Sequence, residues 1–295
     1  MKIAHIINPV IVPPTSDLYR AQPITFESMR IAKEIAECHG ISVNLYTAQY
    51  ECDRPFVPLD FQSTPELERS VIDVRPFKVS RRLPFIQDIL DRLYAADATA
   101  DYLIYTNVDI ALMPNFYRTV EQLVQAGHDA FVINRRTISK NYSDPADLLL
   151  MYSQVGKPHL GHDCFVFRRS AYPHYRLEQV CIGATLIGMA MLVNLICNSE
   201  NFKEFRHLHL TFHLGDDTAW RSPDLDDYTS HNLHEVEKIV SHYKEKQRLV
   251  SHPLIQRFLR NPTIDYWSGR QDASKFRLLK KVRSHLRSKL KYLFP

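Results

Sequence analysis

The sequence predicts a mostly parallel α/β sheet flanked by helices, and three observations favour this fold class. Residues 2–10 form an apolar run, typical of a central strand that is covered on both faces. A helical pattern at residues 24–40 and a second strand pattern at residues 41–46 follow it. Strand, helix and strand at this spacing form a βαβ unit, which implies parallel strands and a right-handed crossover. The 295 residues include 15 Tyr and 15 Phe, which can supply one large core.

Loop signals and apolar periodicity define the other elements of the first half. Three prolines indicate a loop at residues 11–23, after which Thr25 is expected to cap the helix and Gly40 to end it. Prolines also indicate a loop at residues 47–69, and a short strand is expected at 70–77. The pattern continues with a helix over Phe85 to Tyr94, a strand at 101–106, a helix at 114–126 and a strand at 129–134.

The second half begins with a strand at residues 161–170 and an apolar helix at 180–197. A further strand is expected at 206–217, where Leu and Phe alternate with His and Thr. One face of that strand therefore belongs to the core, and the other carries chemistry or meets water. A polar helix at 228–250 and a terminal helix from residue 275 complete the predicted elements.

The charge distribution excludes one class of partner. The net charge is +4, but residues 275–295 contribute eight Lys/Arg and no acid, so the remaining chain carries 29 basic and 33 acidic residues. A nucleic-acid-binding domain carries its basic stripe on the folded body, so no nucleic-acid partner is predicted. The five cysteines are scattered and form no C-x-x-C pair, which favours a reducing compartment and a cytoplasmic location.

Two apolar segments resemble targeting or membrane signals in part. The N-terminal run is interrupted by Asn8 and Pro9 and lacks a small-residue cleavage site, so it predicts a first strand rather than a signal peptide. Residues 180–197 reach the lower length limit for a membrane span, but two glycines and Asn194 dilute them. We therefore expect a helix buried in the protein core.

Oxygen-bearing side chains follow the apolar strand at residues 101–106. Asn107 and Asp109 come directly after it, and ligands of open α/β sheets bind at the carboxyl edge of the strands. Two such side chains can bind a hard divalent cation together, with a nucleotide diphosphate filling the remaining positions around Mg²⁺ or Mn²⁺. The same residues are also common in turns, so a metal site and an Asx-turn are both open.

Three further side chains are candidates for the chemistry. His213 is expected on the polar face of its strand, just before Gly215, and its imidazole suits Mn²⁺; a solvent-facing role is equally open. Asp163 follows Gly161, which permits close approach of an acceptor, so Asp163 is a candidate general base; capping of its strand is the alternative. Asp216 is the second candidate base.

Arginines are the candidates for anion binding. Arg135 and Arg136 directly follow the strand at 129–134 and can bind a phosphate or an anionic acceptor through bidentate hydrogen bonds, although paired surface arginines are often only solvated. Arg20, expected in the loop after the first strand, is a candidate of the same kind. The sequence has no P-loop, dinucleotide glycine motif, serine-hydrolase elbow or H-E-x-x-H motif, which leaves a cation and arginines as the means of binding phosphate.

One part of the sequence resembles a known family. The strand YLIYTNVDI, with the helix LPFIQDILDRLYAADATA before it and the helix MPNFYRTVEQLV after it, is similar to the metal-binding core of GT-A fold nucleotide-diphospho-sugar glycosyltransferases. Their D-x-D motif maps to residues 107–109, where Asn107 replaces the first acid. GHDCFVFRR at 161–169 resembles their acceptor-side strand, and the segment around His213 resembles the late strand that often supplies a histidine to the metal.

The resemblance covers roughly residues 1–220 in element order and implies a Rossmann-like GT-A domain over residues 1–225. It implies a glycosyltransferase that uses Mn²⁺ or Mg²⁺ and transfers a sugar from a nucleotide-sugar donor to a saccharide or lipid-linked acceptor. Asn107 keeps open an inactive member that binds a glycan or partner, and a nucleotidyltransferase is the third alternative.

The C-terminal part is expected to be a helical extension, residues 226–274, and a basic amphipathic helix, residues 275–295. The terminal helix would have an apolar stripe and basic sides, so it fits an anionic membrane surface, and the enzyme would be peripheral to the inner face of a membrane. Docking of the stripe on the domain fits equally well.

Overall fold

The structure, a computed structural model, describes residues 1–216, 222–253 and 255–256. The strands in these ranges are β1 (Lys2–Ile7), β2 (Ser42–Thr47), β3 (Gln62–Ser63), β4 (Tyr102–Thr106), β5 (Ala111–Leu112), β6 (Ala130–Ile138), β7 (Lys157–Arg168), β8 (Phe202–Phe205) and β9 (Thr211–Leu214). The α-helices are α1 (Asp17–Glu37), α2 (Ile86–Ala96), α3 (Phe116–Gln125), α4 (Leu148–Tyr152), α5 (Ile187–Cys197), α6 (Asp226–His242) and α7 (Gln247–Ser251).

One sheet carries these strands, and most of its pairings are parallel. Its order is β3-β2-β1-β4-β7-β6-β9-β5, with β8 beside β6. β1 pairs in parallel with β2 and β4, and β6 pairs in parallel with β8 and β9. β7 runs in the opposite direction between β4 and β6. The predicted fold class, a mostly parallel α/β sheet flanked by helices, is confirmed.

Apolar side chains cover both faces of the sheet, as its buried parallel strands require. On one face, residues of α1 and α3 pack with strand residues in a single core cluster. On the other face, α2, α5 and α6 form a second cluster with the sheet. β4 lies between them with every residue buried. The polar residues that follow β4 are therefore held by a strand packed on both sides.

The first helix begins earlier than the sequence predicts. The Ser16 side chain accepts a hydrogen bond from the backbone N–H of Leu18, so Ser16 and not Thr25 is the N-cap of α1. Pro23, one of the prolines that suggested a loop, lies inside the helix. Arg20 is therefore an exposed helical residue and not a loop residue.

Two predicted strands also differ from the structure. A 3₁₀ turn at Val71–Asp73 replaces the short strand expected there, because the Asp73 carboxylate accepts hydrogen bonds from the backbone N–H and hydroxyl of Ser70. The strand expected at 206–217 is limited to β9. Neither β8 nor α4 was expected, since each is short.

The apolar segment expected to form one helix is a loop followed by a helix. α5 starts only at Ile187, because Gly183 and Leu186 adopt left-handed φ angles of 78° and 79° that interrupt helical backbone. α5 itself is buried, as predicted. Among the described residues, no helix is long and apolar enough to cross a membrane.

The helices after residue 225 pack on the same core. A turn after His242 divides the expected helix at 228–250 into α6 and α7. Val236 and Ile239 of α6 are buried in the cluster that includes α2 and α5. The basic helix expected at 275–295 lies outside the described residues.

Candidate active site

The residues that follow β4 lie on the lining of a cavity of about 1130 Å³. Asn107 and Asp109 both belong to this lining. The backbone N–H of Ile110 donates a hydrogen bond of 3.1 Å to the carbonyl of Asn107, which closes a turn at the strand end. The turn directs two polar side chains into the cavity region while the strand behind them stays in the core.

Asp109 and His213 form a close pair across the sheet. The His213 Nε2 lies 3.1 Å from the Asp109 Oδ2, and His213 is buried. The His213 Nδ1 lies 2.8 Å from the backbone carbonyl oxygen of Gly215, and because that oxygen only accepts, Nδ1 carries a hydrogen. Nε2 is therefore the nitrogen left to face the carboxylate, and a proton or a cation must lie between the two atoms.

The electrostatics of this pair favour charge on both groups. Burial raises the pKa of Asp109, but the nearby His213 and Arg135 outweigh it and hold that pKa below its usual range. Burial lowers the pKa of His213, but the Asp109 carboxylate and its hydrogen bond outweigh it and raise that pKa. The pair is a buried site of opposite charges at the end of β4.

A second polar cluster surrounds Asp163 on β7. The Arg135 Nη1 donates to the Asp163 Oδ2 over 2.9 Å, and the Asn107 Nδ2 donates to the Asp163 Oδ1 over 3.1 Å. The Tyr105 hydroxyl donates to the Asn107 Oδ1 over 3.1 Å. Both carboxylate oxygens of Asp163 and both amide atoms of Asn107 therefore already have partners within the protein.

Of the predicted arginines, Arg135 lines the cavity. Arg136 directs its guanidinium away from it, to the backbone carbonyls of residues 155 and 156. Successive residues of a strand point to opposite faces, which separates these two arginines. Arg136, Arg20 and Asp216 are not among the described residues that line the cavity.

Two cavity-lining arginines, Arg81 and Arg82, were not predicted. They lie in an irregular segment that Tyr228 of α6 holds in place. The Tyr228 hydroxyl donates to the carbonyl of Val79 over 2.6 Å and accepts from the backbone N–H of Arg81 over 2.7 Å. Within the described part of the chain, neither arginine forms an ion pair with a carboxylate. The basic run RPFKVSRR just before α2 was the available signal.

His159 is the second functional candidate that sequence reasoning missed. Its ring lines the cavity, and its Nδ1 accepts a hydrogen bond of 2.9 Å from the backbone N–H of Gly161. A Cβ atom on Gly161 would lie 2.6 Å from the His159 Cε1, so glycine permits the close approach of this ring. Burial, together with Arg135, lowers the pKa of His159, which favours the neutral imidazole.

Comparisons with known proteins give fold likenesses only. No protein-family model and no curated protein matches the sequence. The crystal structure of S. aureus TarS 1–349 with UDP-GlcNAc is 8% identical, with a TM-score of 0.48, over 90% of this chain and 78% of that one. A Drosophila β-1,4-galactosyltransferase 7 mutant with manganese, UDP-Gal and xylobiose is 10% identical, with a TM-score of 0.40, over 73% and 72%. GalNAc-T7 with UDP, GalNAc and Mn²⁺ is 10% identical, with a TM-score of 0.45, over 98% and 56%.

The mostly parallel α/β fold class rests on the sheet order and pairings given above. Sequence identities this low give no information on the substrate or metal of this protein, which must be argued from the residues of the site.

Proposed function

We propose that the protein transfers a sugar from a nucleotide-diphosphate donor to an acceptor hydroxyl, with a divalent cation at Asp109 and His213. The observation that carries this proposal is the Asp109–His213 pair at the end of β4, inside a large cavity that Arg81 and Arg82 also line. Together these groups offer a cation site and two arginines without a carboxylate partner among the described residues in the same cavity, which suits a diphosphate.

The donor set fits a cation that the substrate helps to hold. Carboxylate oxygen and imidazole nitrogen are both ligands of Mn²⁺, and the hydrogen bond from His213 Nδ1 to the Gly215 carbonyl fixes the ring with Nε2 facing Asp109. Among residues 1–216, 222–253 and 255–256, no group of three His, Cys, Asp or Glu side chains could hold a metal. Two protein ligands therefore require diphosphate oxygens or water to complete the shell, as Mg²⁺ and Mn²⁺ sites on nucleotides commonly do.

In the proposed reaction, different residues bind the cation and the phosphates. Transfer forms a bond from the acceptor oxygen to the anomeric carbon and breaks the bond from that carbon to the diphosphate, while the hydroxyl proton passes to a base. A bound divalent cation stabilises the charge that develops on the diphosphate. Asp109 and His213 hold the cation, and Arg81 and Arg82 neutralise phosphate oxygens.

Asp163 is better suited to positioning than to proton transfer. Its two oxygens accept hydrogen bonds from Asn107 and Arg135, one to each oxygen, and these bonds fix the carboxylate between the two side chains. We propose that Asp163 orients Arg135 and Asn107 at the cavity. Asp216 is exposed just after Gly215 and is not among the described residues of the cavity lining, so we assign the base to neither of the two predicted carboxylates.

A screen of nucleotide sugars tests the proposal. Thermal unfolding is recorded with each donor, with and without Mn²⁺, because a ligand that binds the native state raises the Tm. We expect a Tm increase that requires Mn²⁺, and slow release of free sugar and nucleoside diphosphate from the same donor. Release of pyrophosphate from a nucleoside triphosphate and a sugar phosphate would indicate a nucleotidyltransferase instead. Binding without any turnover would indicate a noncatalytic binding protein.

A further inference from the structure

Part of the cavity lining is aliphatic and has no role in the donor chemistry. Six of the larger apolar lining residues, one just before α2 and five in the segment 182–192, form what we call the aliphatic wall: Leu83, Ile182, Leu186, Ile187, Met189 and Leu192. Met189 and Leu192 are buried, whereas Ile182, Leu186 and Ile187 are only half-buried. The half-buried side chains present apolar surface to the cavity, and apolar surface in a cavity is favourable only when a ligand covers it.

The loop that carries this wall is held in a fixed conformation. The Asn232 side chain of α6 donates from Nδ2 to the carbonyls of Cys181 and Thr185, each over 2.9 Å, and its Oδ1 accepts from the backbone N–H of Cys181 over 2.9 Å. Leu186 adopts a φ of 79°, a left-handed conformation that is unfavourable for an L-residue with a side chain. A leucine held in a strained conformation at a cavity is typical of a functional position.

Polar groups border the wall on one side. A Cβ atom on Gly188 of α5 would lie 3.2 Å from the His162 Cβ, so His162 packs directly against the start of α5. The His162 Nε2 lies 2.9 Å from the Glu204 Oε1, and Arg206 also binds Glu204. His162, Glu204 and Arg206 all line the cavity. A ligand in this half meets both an aliphatic surface and hydrogen-bonding groups.

We propose that the aliphatic wall binds a hydrocarbon chain of the acceptor, which is then a hydroxyl-bearing head group attached to an aliphatic chain. This inference rests on the proposed transferase function. Cavities for one drug-sized ligand measure about 300–1,000 Å³. The cavity of about 1130 Å³ exceeds that range, which leaves room for an acceptor beside the donor. The wall consists of flexible aliphatic side chains, which suit a hydrocarbon chain, while the aromatic residues of the cavity lining are Tyr50 and Tyr105.

Binding of alkyl glucosides to the full-length protein tests this proposal without requiring the natural donor. Methyl, butyl, hexyl and octyl glucosides are titrated below their micellar concentrations, and phenyl glucoside serves as the aromatic probe. We expect the affinity to rise up to about fourfold for each buried methylene, and phenyl glucoside to bind more weakly than hexyl glucoside.

Variants at Ile187 locate the site. Val and Thr have nearly the same shape, so comparing Ile187→Val with Ile187→Thr changes polarity at constant volume. We expect Ile187→Val to keep the chain-length dependence and Ile187→Thr to lose most of it. Val155→Thr, at an exposed valine outside the cavity lining, should behave as the wild type. The Tm of each variant shows whether it is folded.

Three results would overturn the proposal: no dependence on chain length, an equal dependence in Ile187→Val and Ile187→Thr, or tighter binding of phenyl than of hexyl glucoside. Binding of the uridine, guanosine, adenosine, cytidine and thymidine diphosphates with Mn²⁺ is measured on the same samples. Chain-length dependence at Ile187 without any nucleotide binding would contradict the transferase function but would support an aliphatic binding site. Nucleotide binding without chain-length dependence would contradict the acceptor proposal alone.

Discussion

Two buried histidines, one on β1 and one on β9, have pKa values shifted in opposite directions. His5 on β1 contacts hydroxyl groups: its Nδ1 lies 2.8 Å from the Tyr117 hydroxyl and its Nε2 lies 2.9 Å from the Thr106 hydroxyl. Burial lowers the pKa of His5 to about 3. His213 on β9 is equally buried, yet the Asp109 carboxylate raises its pKa. The difference in partner outweighs the similarity in burial.

The partners of these two histidines lie on either side of the end of β4. Thr106 is the last residue of β4 and meets His5 through a neutral hydroxyl, whereas Asp109, three residues later, meets His213 through a carboxylate. A buried charge is costly unless a partner of opposite charge compensates it. β4 itself carries no charged side chain, and Asp109, the first carboxylate after it, lies where the cavity begins.

The largest expected effect comes from breaking the second buried charge pair. Asp163→Ala removes the carboxylate that binds Arg135, and an unpaired buried charge costs about 3–5 kcal/mol of the free energy of unfolding. Urea denaturation measures this loss. Asp60→Ala, at an exposed carboxylate, is the matched control and should change stability by less than about 0.5 kcal/mol. A similar small change for Asp163→Ala would show that the pair is not needed for stability.

The second prediction exchanges the two histidines for glutamine. His213→Gln removes a proposed cation ligand, so Mn²⁺-dependent nucleotide binding should weaken by about 100-fold or more, since even indirect changes at metal sites cost 10- to 100-fold. His5→Gln should leave that binding unchanged, because His5 hydrogen-bonds to Tyr117 and Thr106 and is not among the described residues that line the cavity. Calorimetric titration measures both variants. Equal losses in the two would mean that His213 acts on the fold and not on the cation.

The third prediction concerns pH and His5. The unfolded chain binds a proton at His5 near pH 6.5, whereas the folded protein does so only near pH 3. As the pH falls below about 6.5, His5 should therefore cost the native state up to about 1.4 kcal/mol for each pH unit. Denaturation series from pH 7 to pH 5 measure the slope for the wild type and His5→Gln. The variant should show a shallower slope, and identical slopes would contradict a neutral buried His5.

The smallest expected effect is at Gly161. Gly161→Ala places a Cβ against the His159 ring and 3.2 Å from the Asp163 Oδ2, so the ring must move, at a cost of about 1 kcal/mol or more. His159→Ala removes the obstacle, and the double variant should recover most of the stability that Gly161→Ala loses relative to its own background. Chemical denaturation of the four proteins completes this cycle. Additive effects would show that the two residues do not interact.

The sequence predicts the end of β4 well, because its signal is local. A fully apolar strand followed by Asn107 and Asp109 needs no distant contact to be recognised, and the alternation around His213 marks its polar face in the same way. The structure contains a turn at this strand end, closed by the hydrogen bond from the backbone N–H of Ile110 to the carbonyl of Asn107, and metal binding there stays a prediction.

Other parts of the site depend on distant contacts and are invisible to local patterns. Arg81 lines the cavity because Tyr228, 147 residues away, fixes its backbone. Asp163 forms an ion pair with Arg135 because Arg135 comes from the neighbouring strand. The start of α1 was misplaced because its prolines suggested a loop, although Ser16 caps the helix and Pro23 lies within it. In each case tertiary contacts decide what the local pattern leaves open.

The central claim is that Asp109 holds a divalent cation to which a nucleoside diphosphate binds. Isothermal titration calorimetry with uridine, guanosine, adenosine, cytidine and thymidine diphosphates, with and without Mn²⁺, tests it most directly in the wild type, Asp109→Asn and the control Asp60→Asn. Asn keeps the shape of the side chain and removes its charge. We predict that at least one diphosphate binds with Mn²⁺ to the wild type and to Asp60→Asn, and about 100-fold or more weakly to Asp109→Asn. Equal Mn²⁺-dependent binding by Asp109→Asn would contradict the account.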